Sequence, residues 1–131
     1  MKKFILLFAI FLVGSQLKAQ DIFNKWEELS EFHLVMSQTF HPAEDDNLEP
    51  IKTKSQELFV KADLLAKSDV PEEFKSDAID KAVVQLQKDS KTLTNMVEGK
   101  KSTDEEIKKS LFELHDVFHQ IVGLCKGEDH E

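Results

Sequence analysis

From Ile107 to Cys125 the apolar positions Ile107, Leu111, Leu114, Phe118, Ile121 and Cys125 recur at intervals of four, three, four, three and four. That spacing puts all six on one stripe of an α-helix and fits no strand, whose faces alternate every second residue. Ile22, Trp26, Leu29, His33, Met36 and Phe40 repeat the same intervals near the start of the chain. Two further stretches carry helical period: Ile51, Ser55, Leu58, Ala62 and Leu65, then Ala78 or Ile79, Ala82, Leu86, Leu93 and Val97. A stripe of this kind is marginal in water alone and has to be buried against others. Four of them predict an all-α chain folded as an up-down-up-down four-helix bundle.

Local signals set the expected boundaries. The first helix runs from about Asp21 to Phe40, and Pro42 is expected to stop it near His41, because proline disfavours helical geometry in the residue before it. The second runs from about Leu48 to Lys67, with Asn47 as its cap and Pro50 in the first turn, where a missing N–H does no harm. Pro71, Glu72 and Glu73 read as the opening of the third, which Gly99 ends. The fourth starts at Ser102 or Thr103, either of which forms a capping box with Glu105 or Glu106.

The first twenty residues, MKKFILLFAIFLVGSQLKAQ, have a different character. Lys2 and Lys3 precede an unbroken apolar run from Phe4 to Val13, followed by a small and polar stretch ending at Ala19. This is the layout of a cleavable signal peptide, residues 1 to about 19, and it predicts a periplasmic or secreted protein. The remaining 20–131 then form one domain. Removing three of the 17 cationic residues leaves 14 against 25 Asp and Glu, a net charge of −11. All of the cationic residues are lysine. An acidic domain without Arg lacks the basic stripe and bidentate forks of nucleic-acid binding, and an anionic membrane surface repels it. Cys125 is the only cysteine, so no internal disulfide is available, and C-x-x-C-H haem attachment is ruled out.

Histidine carries what chemistry is readable. His33 sits inside the apolar stripe of the first helix. His115 and His119 lie four apart on the fourth, one turn from each other on one face. Antiparallel packing of the first and last helices brings His33 to the level of His115, so His33, His115 and His119 are the candidate metal ligands, with His41 and Met36 as auxiliaries. Helical H-x-x-x-H is a recurrent way to hold one metal ion with two imidazoles. The position after His115 is Asp116, not Glu, so the zinc-protease H-E-x-x-H motif is absent; Asp116 is expected to orient a ring N–H instead. His41 equally suits a helix C-terminus, where a cation favours the dipole, with Glu44 beside it. A di-iron carboxylate site needs Glu-x-x-His on two helices and is not present. Nor is a Gly-x-Ser-x-Gly elbow or a Gly-rich phosphate loop, and no nucleophile or paired acid and base is readable, so an enzyme is not expected.

The segments FHLVMSQTFHPAEDDNLEPIK (32–52) and LHDVFHQIVGLC (114–125) resemble a group of small secreted bacterial proteins of uncharacterised function. The architecture also resembles, more distantly, the cytochrome b562 and cytochrome c′ bundles. That likeness implies a haem between helices, ligated by His115 or His119, with Met36 or His33 opposite and Phe118 in the wall. Met36 lies late in its helix, unlike the helix 1 Met of the b562 pattern. The expected functions are therefore transition-metal binding (zinc or copper) by a non-enzymatic bundle, b-type haem binding in a crevice of Phe32, Phe40, Phe118 and Trp26, or a cofactor-free interaction module whose protein partner the residues do not identify.

Overall fold

The computed structural model describes residues 19–127. All regular structure among them is helical and no strand is present, as the apolar period predicts. After a helical stretch over 19–25 come α1 (Glu27–Glu44), α2 (Glu49–Lys67), α3 (Asp77–Gly99) and α4 (Asp104–Cys125), with a 3-10 turn at Glu72–Phe74. Apart from its last residue, the expected signal peptide lies outside the described residues.

Each long helix packs on the next, and α4 returns to α1. Cross-helix bonds give the directions. Trp26 at the head of α1 donates from Nε1 to Ser68 Oγ beyond the tail of α2 (3.0 Å), and Lys61 meets Glu31 at 3.2 Å. Gln87 Nε2 donates to Asp63 Oδ1 (2.8 Å) while Thr94 Oγ1 donates to the Ser55 carbonyl (2.9 Å), so residue numbers rise on α3 as they fall on α2. The five predicted stripe residues of α2 are its five buried residues. On α4, Ile107, Leu111, Leu114, Phe118 and Ile121 are buried and Cys125 is half-buried.

Three boundaries differ from expectation, each for a physical reason. The first helix breaks at Trp26 (φ −126°, ψ 88°). Its indole is 1% exposed, and turning the backbone there buries the ring and satisfies its N–H on Ser68. At the other end α1 continues through Pro42 to Glu44, because Ala43 is buried and the last turn closes on itself. Asp46 adopts a left-handed conformation (φ 62°), its N–H bonds to the Ala43 carbonyl, and the Asn47 N–H bonds to the Pro42 carbonyl. This is a Schellman closure with Asp where Gly is usual. Finally, Pro71, Glu72 and Glu73 do not open α3. They form the separate 3-10 turn, which buries Phe74, and α3 starts after Ser76, whose hydroxyl accepts the Ile79 N–H at 3.1 Å. Thr103 and Glu106 form the capping box as expected, whereas the N-cap of α2 is Leu48 and not Asn47: it has no side-chain cap bond, and Asn47 Oδ1 accepts the Glu49 N–H in the turn just before the helix.

Candidate functional site

The backbones of α1 and α4 run close over a much shorter stretch than those of any consecutive pair. Rings explain it. Phe32, Phe40 and His33 project from α1, and Phe112, His115, Phe118 and His119 from α4, so bulk at the contact keeps the axes apart. Phe40 stacks on His115 with centroids 3.6 Å apart and planes 5° from parallel. His33 stacks on Phe118 at 5.3 Å and on Phe23 at 4.6 Å. The register therefore differs from the one anticipated: His33 faces Phe118, and Phe40 occupies the place opposite His115.

Despite that offset, a cavity of about 180 Å³ in this seam is lined by His33, Met36, Ser37, Phe40, His41, His115, Phe118 and His119. The five candidate ligands His33, Met36, His41, His115 and His119 are in its wall with Phe40 and Phe118, while Trp26, Phe32, Glu44 and Asp116 are not. Ser37 is an addition, with Oγ 3.4 Å from His33 Nε2; its position one helical turn after His33 is the signal that could have found it.

Within this group one pair meets directly. His115 Nε2 and His119 Nε2 are 3.2 Å apart, with ring planes at 78°. An N–H···N hydrogen bond fits this contact when the two rings take complementary tautomers. The same spacing suits a metal. Two imidazole nitrogens at about 2.0–2.1 Å from one ion stand about 2.9 Å apart at a right angle and about 3.4 Å apart at the tetrahedral angle. The separation of the two nitrogens is compatible with one shared ion, provided each ring tilts until both lone pairs converge on it.

His41 points its Nδ1 at Glu44 Oε1 (3.1 Å) in the last, exposed turn of α1. No hydrogen bond joins Asp116 to either His115 or His119 among the described residues, so the orienting role expected of it is not seen. Nor, among those residues, do three or more His, Cys, Asp or Glu side chains gather closely enough to hold a metal ion. The haem crevice anticipated from four aromatics is not formed either: Phe40 and Phe118 line the cavity, but Trp26 and Phe32 are sealed in the core.

Burial pushes His33 below the ordinary histidine range, and the nearby charges of His119 and His41 add to it. His115 is lowered too, first by burial and then by His119, with Asp116 and Glu44 opposing. Burial also pushes the Cys125 thiol up to about 12, which leaves it a protonated, inert group at neutral pH. Lys54, which interrupts the apolar positions of α2, turns outward to Glu57 at 3.8 Å. No helix among the described residues is long and apolar enough to cross a membrane. No protein-family model matches this chain, and neither a curated protein nor a solved structure is detectably similar to it.

Proposed function

We propose that the chain is a periplasmic or secreted, non-enzymatic, up-down-up-down four-helix bundle that binds a transition metal, zinc or copper, at the seam between its first and last helices. His115 and His119 are the anchoring ligands, with His33 and His41 around the same cavity. The observation that carries this reading is the 3.2 Å separation of the two Nε2 atoms, at the bite of a single metal ion. Export rests on the N-terminal charge and apolar pattern alone. Two protein nitrogens leave coordination positions open, which suits buffering or delivery of an ion more than permanent structural storage.

A b-type haem is less well served. The cavity is smaller than the roughly 300–1,000 Å³ of pockets that enclose a drug-sized ligand. The cofactor-free interaction module accounts for the histidine pair as a hydrogen bond and nothing more.

Calorimetric titration with zinc and copper(II), with metal analysis of the purified protein, separates these readings. The wild-type chain takes up a stoichiometric ion, and the His115→Ala, His119→Ala double variant loses it while keeping its helical circular dichroism. A folded wild-type protein that ignores both metals removes the proposal and leaves the interaction module.

A further inference from the structure

The cavity's donor set is unusual for this chain. The sequence carries 25 acidic residues, yet no carboxylate lines the cavity. Its wall is four imidazoles, a thioether, a hydroxyl and two phenyl rings. Glu44 is bonded to His41 Nδ1, and together with Asp116 it reaches His115 only through its field. The desolvation cost of an ion rises with the square of its charge, so a divalent cation loses about four times what a monovalent one loses on entering the same surroundings. A ring-walled site with no anionic ligand therefore favours a monovalent ion more than a carboxylate-lined one does, although neutral imidazoles also hold divalent zinc.

Met36 adds the second element. It is 1% exposed and lines the same cavity as the two paired nitrogens. No third His, Cys, Asp or Glu joins that pair among the described residues, so a further protein donor there has to be of another type. Imidazole accepts several first-row metals, but thioether sulfur favours cuprous copper, and a low coordination number of three suits that ion. Resting on the metal-binding reading above, we propose that the ion is Cu(I), held by His115, His119 and the Met36 sulfur.

The test is anaerobic titration of the full mature chain with Cu(I) against bicinchoninate, beside a zinc titration of the same sample. Met36→Leu, a swap of similar volume that a core tolerates, weakens Cu(I) by about tenfold or more and leaves zinc within about threefold, because only the soft ion uses the sulfur. X-ray absorption of the Cu(I) form shows a sulfur neighbour that disappears in Met36→Leu and persists in Cys125→Ser. Equal weakening of both metals, no weakening of Cu(I), or a sulfur signal that follows Cys125 overturns the cuprous assignment while leaving a histidine metal site intact. Failure of the wild-type chain to bind either ion overturns both.

Discussion

The α2–α3 seam and the α1–α4 seam are built on different plans. The buried residues of α2 and α3 are aliphatic or small: Ile51, Ser55, Leu58, Ala62 and Leu65 on the first, Ile79, Ala82, Val83, Leu86, Ser90, Leu93 and Thr94 on the second. Small residues let the helices approach closely, and the Thr94 hydroxyl reaches the Ser55 carbonyl. Between α1 and α4 rings hold the helices apart, and the gap is lined by every histidine of the described residues. Tight packing contributes stability but leaves no room for a guest. The ring-filled seam gives up part of that packing and gains a cavity with nitrogen and sulfur donors. Stability and chemistry should therefore be separable by mutation.

The largest expected effect lies in the close seam. Leu86 is fully buried, and Leu86→Ala destabilises by about 2–5 kcal/mol in urea titration, through lost transfer energy and the void left behind. Metal affinity of the folded protein stays unchanged; a parallel loss would mean that the two seams are coupled. Next, Phe40→Leu removes the stacked face on His115 and costs about 1 kcal/mol. Unlike the first variant it also alters the Cu(I) titration, because His115 loses the ring that fixes its orientation. Ser90 sharpens the contrast from the other side. Its buried hydroxyl has no hydrogen-bond partner among the described residues, so Ser90→Ala stabilises by about 1 kcal/mol, seen as a higher urea midpoint.

The smallest effect is the response of the metal-free protein to acid. His33 and His115 have folded-state values below the unfolded one, so the unfolded chain binds more protons once pH drops below about 6.5. Their contribution is full well above that pH and is lost as pH falls from there through the lower folded-state values. The urea midpoint is flat from about pH 8 to 7 and declines below about 7; His33→Gln shallows the decline and Leu86→Ala does not. An identical slope in all three proteins would locate the acid response outside the histidine seam.

What the residues alone disclosed follows from what each feature depends on. The α2 stripe and the Thr103–Glu106 box are governed by interactions within a turn or two, so period and capping chemistry reveal them. The break at Trp26 was invisible because its cause, Ser68, lies 42 residues away, while the apolar spacing runs through it uninterrupted. The end of α1 lies beyond the expected stop because Pro42 is tolerated in a last turn that Asp46 closes, and Asp advertises a left-handed position less clearly than Gly. As for the cavity, most of its lining apart from Ser37 follows from which residues share a helix face, but its register does not. Which ring of α1 meets which ring of α4 depends on how far bulky side chains push two helices, a quantity that no pattern in one helix contains.

Trp26 has one more consequence. It is the only tryptophan in the chain, buried and hydrogen-bonded where the chain turns into α1. Its emission is therefore a native reporter of the clasp between the start of α1 and the residue after α2. It does not line the cavity, so it is not a direct sensor of what fills it. A red shift during denaturation that precedes the loss of helical dichroism would identify that end as the first to open, with no label attached.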